Sequence, residues 1–217
     1  MSATQTATFE SSSGAAGSAA VEAIAGIAVI VLTILGLAQV VPVFLVAIAA
    51  IIAGVALLAQ GAAVAQEYAR LLTARGDVAV PLGNSSAWSL ALLAGAAGVV
   101  LGILALLHVS PVELVAIAVI SYGGGLIISG GPTAQIGMLK AIGSTTDDRV
   151  RRMAAEAAST SMISQGMVGL GAVVLGILAL ANFASLTLIL IALLSVGVFL
   201  LANGSAMSGF LLSVFRR

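Results

Sequence analysis

Two long stretches of this chain carry no charge. No Asp, Glu, Lys or Arg falls between Glu22 and Glu67, and none falls between Glu156 and Arg216. A helix crosses the hydrocarbon core of a bilayer with about 20 apolar residues, so each stretch has room for two crossings. The segment from Asp77 to Lys140 is interrupted only by His108 and Glu113 and has room for two more. Only 7% of the residues are charged and 61% are hydrophobic, too little polar surface for a water-soluble chain of this size. These features predict an all-α integral membrane protein with six transmembrane helices, at about 21–40, 43–64, 88–108, 112–131, 162–182 and 185–206. The small, polar stretch 1–20 has no basic residue and reads as a flexible tail, with the first span acting as an uncleaved anchor.

The chain repeats itself. Residues 33–42 read TILGLAQVVP, 102–111 read GILALLHVSP and 176–185 read GILALANFAS. Offsets of 69 and then 74 residues align the three copies without gaps, and self-similarity of this kind marks a repeat architecture. Each copy reads as a helical hairpin, with hairpins at about 21–75, 86–143 and 160–215 within one membrane domain, 21–217. Pro42 and Pro111 suit the first position of a returning helix, where a missing N–H costs nothing; Ser185 takes that place in the third copy.

The repeat register brings nine glycines into three sets: Gly26, Gly95 and Gly169; Gly54, Gly123 and Gly197; Gly61, Gly130 and Gly204. Within a helix the small positions fall seven apart, hence on one face. Thr33, Gly102 and Gly176 extend the first set. Membrane helices associate through close backbone approach at small residues, so these positions are expected to be packing seams. Measured from the turn, the small positions of the two helices alternate in depth, which predicts interlocked faces. YGGGLIISGGP (122–132) reads as part of a seam, with a kink at its Gly-Gly-Pro. It lacks the Lys-Ser/Thr ending of a phosphate loop.

All eight Lys and Arg residues lie in the two long connections or at the C-terminus, and none lies in a hairpin turn. The positive-inside rule then predicts both termini and both connections in the cytoplasm of a bacterial inner membrane. The first connection should prolong the second span to a cap at Gly76. The stretch 144–159 should be helical, with i,i+4 pairs Asp148–Arg152 and Arg152–Glu156, and should run into the fifth span. Glu22 and Glu113 lie near expected helix starts, where a carboxylate suits the helix dipole.

One polar residue closes the first helix of every hairpin: Gln39, His108 and Asn182. Two readings fit. The three side chains form a polar ring at the outer mouth of a small cavity, or each satisfies carbonyls left free at a helix C-terminus. Gln60, Ser129 and Asn203 repeat the pattern at the opposite end. There is no zinc-protease motif, nucleophile elbow or dinucleotide fingerprint, and no Cys. Neither enzymatic activity nor a cofactor nor a metal is expected. A net charge of zero gives no reason to expect a nucleic-acid partner.

Three hairpins of this form, with a late glycine in each returning helix, resemble the HdeD-like family of bacterial inner-membrane proteins over roughly residues 20–210. The resemblance implies a multi-span protein linked to acid stress and assigns no functional residues. With it, the sequence predicts a non-enzymatic structural, accessory or membrane-modifying protein. Its expected partners are membrane lipids, with further copies of itself or a larger membrane complex. A channel or carrier for a small neutral solute is the alternative.

Overall fold

A computed structural model describes the backbone of residues 3–75, 82–108, 110–144, 148–182 and 184–207. Six helices account for nearly all of it: α1 (Ala3–Leu37), α2 (Pro42–Arg75), α3 (Leu82–Leu106), α4 (Pro111–Ser144), α5 (Asp148–Leu180) and α6 (Ser185–Met207). There is no strand among the described residues. Five of the helices are long and apolar enough to cross a membrane; in α3 the apolar stretch is shorter, Leu92–Leu106.

The helices outrun the expected spans. α1 is already helical at Ala3, so the stretch expected to be a flexible tail is helix from that residue on. It contains no Pro, so no residue in it breaks a helix that the apolar segment nucleates. α2 continues to Arg75, as the first connection suggests, while Gly76 lies outside the described residues. α4 passes unbroken through Gly130, Gly131 and Pro132. α5 begins at Asp148 and joins the second connection to the fifth apolar segment. The side chains of Asp148, Arg151 and Arg152 lie outside the described set, and with them the two expected ion pairs.

The helices form a closed ring. Each packs on its neighbours in chain order, and α1 packs on α6 to complete the circuit. The returning helices α2, α4 and α6 also touch one another and form the centre, while α1, α3 and α5 lie outside them. Accordingly Val46, Val115, Leu126, Ile189 and Leu193 are buried on the inner three. Ile24, Leu93, Met167 and Leu170 are exposed on the outer three, as suits a surface facing lipid.

The repeat register explains how the centre fills. Ala49, Ala118 and Ala192 occupy equivalent places and are each 0% exposed. Next along the axis, Tyr122 on α4 matches Ala53 on α2 and Val196 on α6, and Phe199 on α6 matches Ala56 and Gly125. One large side chain per layer is offset by smaller ones, which is how a narrow centre reaches interior packing density without strain. Ala53, Tyr122 and Val196 are also 0% exposed, while Phe199, farther along, is 9% exposed.

The glycines are where hairpin meets hairpin. Gly54 on α2 faces Gly95 on α3, Gly123 on α4 faces Gly169 on α5, and Gly26 on α1 faces Gly197 on α6. A Cβ added at Gly95 would lie 3.0 Å from the Gly54 carbonyl oxygen, and one added at Gly26 would lie 2.9 Å from that of Gly197. The partners therefore meet at one level, backbone to backbone, in place of the alternating depths that counting from the turn suggests. They also join neighbouring hairpins and not the two helices of one hairpin. Gly102 receives Ile51 and Gly176 receives the equivalent Ile120. Gly61 lies against Leu92, and Gly130 and Gly204 are buried. Thr33 is fully buried in the matching place on α1, where its hydroxyl donates to the Val29 carbonyl of its own helix at 2.7 Å.

Candidate functional site

At the turn end of the ring, Gln39, His108 and Asn182 have φ of 64°, 64° and 62°. This left-handed conformation is what closes a helix with a Schellman motif. Gln39 N–H donates to Gly36 O at 3.1 Å and Val40 N–H to Leu35 O at 3.2 Å, the full pair of capping bonds. His108 N–H and Asn182 N–H repeat the first bond to Ala105 O and Ala179 O, each at 3.1 Å. Free carbonyls are thus satisfied at all three helix ends, by the backbone and not by the side chains. Val41, Ser110 and Ala184 follow with φ of 42° to 43°. Their carbonyls accept the first bonds of α2, α4 and α6, from Leu45, Leu114 and Leu188.

This geometry sets a first prediction. Left-handed backbone costs a non-glycine residue about 1–2 kcal/mol, less for Asn, and glycine escapes it at an entropic cost of about 0.5–1 kcal/mol. Gln39→Gly and His108→Gly should therefore leave stability unchanged or raise it by up to about 1 kcal/mol. His108→Val should lower it by about 1–2 kcal/mol, because a β-branched side chain tolerates this φ worst. Unfolding in mixed micelles titrated with denaturing detergent measures both.

The three polar residues do not form a symmetric ring. Gln39 and Asn182 line one cavity of about 510 Å³ together with Glu113, Ser185 and Thr187 and the apolar Val112 and Leu186. His108 is not among its lining residues; its ring packs on Phe44, with centroids 5.8 Å apart at 60°. The repeat explains the difference. Phe44, Glu113 and Thr187 are equivalent positions in the first turn of each returning helix. Phe44 packs on His108 at the first seam, while Glu113, Asn182, Thr187 and Gln39 line the one cavity. An aromatic contact fills the first sector, and the cavity opens over the other two.

The opposite end carries a second set of polar groups. Asn203 on α6 donates from Nδ2 to Oε1 of Glu22 on α1 at 2.8 Å. Gln165 on α5 donates from Nε2 to Ser129 Oγ on α4 at 2.9 Å. Glu22 and Gln165 are buried. Glu22 lies far from the start of α1 at Ala3, so the dipole role expected for it does not apply; its partner is an amide on the far side of the ring closure. Glu22, Ala91 and Gln165 are equivalent in the repeat, as are Gln60, Ser129 and Asn203. Two of the three seams thus carry the same polar clasp. At the third the equivalent positions are Gln60 and Ala91, and alanine is a residue type with no hydrogen-bonding side chain. Setting the two polar triplets in one register would have shown this from the sequence.

A second prediction follows. Glu22→Gln keeps an acceptor for Asn203 and should leave stability within about 1 kcal/mol of the parent. Glu22→Leu takes the acceptor away from the Asn203 amide and should cost about 1–3 kcal/mol in the same unfolding assay.

A third polar link ties the centre. Tyr122 on α4 is fully buried and donates its hydroxyl to the Ala50 carbonyl of α2 at 2.6 Å. It fits because Gly98 on α3 has no side chain, so the ring lies directly on the α3 backbone.

Compared with models of protein families, with curated proteins and with solved structures, the chain matches none. Among the described residues no group of three His, Asp or Glu side chains is placed to hold a metal ion.

Proposed function

We propose that this chain is a membrane scaffold: a ring of helices that packs against lipid and other membrane proteins and performs no chemistry of its own. The observation that carries this reading is the filled centre, where Ala49, Ala118 and Ala192 are each 0% exposed. The exposed Ile, Leu and Val side chains of α1, α3 and α5 suit contact with lipid or with apolar faces of membrane partners. On this reading α3 makes the sixth crossing, and the basic connections lie in the cytoplasm of a bacterial inner membrane. The likeness to HdeD-like proteins adds a role under acid stress.

The test is reconstitution together with recovery of the native assembly. Proteoliposomes should pass small neutral solutes no faster than empty liposomes. Native mass spectrometry after gentle extraction should show the chain in a fixed ratio with itself or with another membrane protein. The turn-end cavity favours the second reading, a carrier. Solute flux lost in the combined Gln39→Leu, His108→Leu and Asn182→Leu variant would establish that reading and displace the scaffold.

A further inference from the structure

We infer that the turn-end cavity binds an ammonium group carrying a neighbouring oxygen, the ethanolamine unit, either as a lipid headgroup or as a free amine. The hairpin turns contain no Lys or Arg, and among the described residues Glu113 is the one carboxylate at this end of the ring. Its side chain is exposed to the cavity, which it lines with the amides of Gln39 and Asn182. One carboxylate beside two side-chain amides offers acceptor oxygens in one place, and an ammonium donates to such a setting with charge-assisted bonds. Next to Asn182 the start of α6 adds donors, and Ser185 Oγ itself donates to Asn182 Oδ1 at 3.5 Å. Ser185, Leu186 and Thr187 open α6, where backbone N–H groups have no partner within the helix. They and the Thr187 hydroxyl suit an oxygen placed a short distance from the ammonium. A volume of about 510 Å³ holds a small molecule or a headgroup. The apolar Val112 and Leu186 suit the carbons that join the two polar atoms.

Position supports the same ligand. The cavity lies where the helices leave the apolar layer, the depth at which headgroups sit. The asymmetry is specific too. In the equivalent sector Phe44 and His108 replace the carboxylate and amide, and the space is filled by their contact.

The protein would be placed in nanodiscs of phosphatidylethanolamine and phosphatidylglycerol in equal parts, then stripped of bulk lipid and weighed by native mass spectrometry. Phosphatidylethanolamine should be retained over phosphatidylglycerol by roughly tenfold, the effect of one charge-assisted bond. Glu113→Gln should abolish that preference. If neither lipid is preferred but free ethanolamine raises the melting temperature of the parent and not of Glu113→Gln, the soluble amine is the ligand. Equal retention of both lipids with no effect of ethanolamine overturns the inference, as does a preference that survives Glu113→Gln. Should Glu113→Gln prove unstable, Gln39→Met removes a cavity amide at nearly constant side-chain length and carries the same comparison.

Discussion

Gly123→Leu should abolish folding, while Gly124→Ala one residue away should be tolerated. A Cβ at Gly123 meets the backbone of α5: the Gly169 carbonyl oxygen, and the Val173 nitrogen at 2.9 Å. Backbone atoms cannot rotate aside as a side-chain tip does, so α4 and α5 must separate. Overpacking a core typically costs about 1–3 kcal/mol. Parting two helices along a seam adds the loss of their close contact, so the total should exceed about 3 kcal/mol. Gly124 and Gly171 lie on the same two helices with nothing within 4 Å of an added Cβ. Alanine there should be neutral or add up to about 1 kcal/mol through helix propensity. Size exclusion and unfolding of the four single variants, with Gly169→Leu as the reciprocal case, make the comparison. Equal loss at Gly123 and Gly124 would mean that glycine acts here through backbone freedom and not through contact.

Gly98→Ala should be severe alone and mild in combination with Tyr122→Val. The alanine methyl would fall inside the Tyr122 ring, whose phenol is itself fixed by its bond to Ala50. The repeat supplies the remedy. Gly98 with Tyr122 in the second hairpin corresponds to Val29 with Ala53 in the first and Ala172 with Val196 in the third. The double variant Gly98→Ala with Tyr122→Val reproduces the third hairpin's pair. Gly98→Ala should cost about 3 kcal/mol. Tyr122→Val should cost about 2–4 kcal/mol from the cavity and the lost hydroxyl bond. Coupling between neighbours in contact runs at about 0.5–3 kcal/mol, so the double variant should be clearly more stable than the sum of the two losses predicts. Simple additivity in a double-mutant cycle would show that the two positions do not share one space. Tyr122→Phe isolates the hydroxyl and should cost about 1 kcal/mol.

Much of this architecture is legible in the amino-acid sequence. Charge-free runs mark the helices, and one gap-free alignment marks three hairpins and the small residues along their seams. What periodicity does not reveal is the neighbour. A face seven residues apart at Gly26 or Gly95 says that something packs closely there, and either the same hairpin or the next one satisfies it. The start of α1 is hidden for a different reason. Hydropathy falls away before residue 20, and the Ser-, Thr- and Gly-rich stretch that is helical there shows no helix signal of its own. The turn residues are half legible. That they are polar is plain in the sequence; that they share left-handed backbone is not, because Gln takes that conformation far less readily than Asn, His or Gly. Of the cavity, Gln39 and Asn182 are visible as candidates. The departure of His108 is not, since it depends on Phe44, which looks like any apolar residue in a span. Tyr122 is hidden in the same way, as one aromatic in an apolar helix.

The seam between α1 and α6 differs from the other two in when it forms. A ribosome makes α1 first and α6 last, and the two residues that clasp across this seam, Glu22 and Asn203, lie 181 positions apart. The α2–α3 and α4–α5 seams join helices that follow one another directly, so each can form within moments of its second helix leaving the translocon. Throughout synthesis, α1 therefore sits in the bilayer with its glycine face bare and Glu22 without its final partner. That interval is when a carboxyl in lipid is most exposed to substitute partners, whether water, a headgroup or another nascent chain. A variant that slows the arrival of α6 should reveal itself as degradation of newly made chains, even where the finished ring is as stable as the parent.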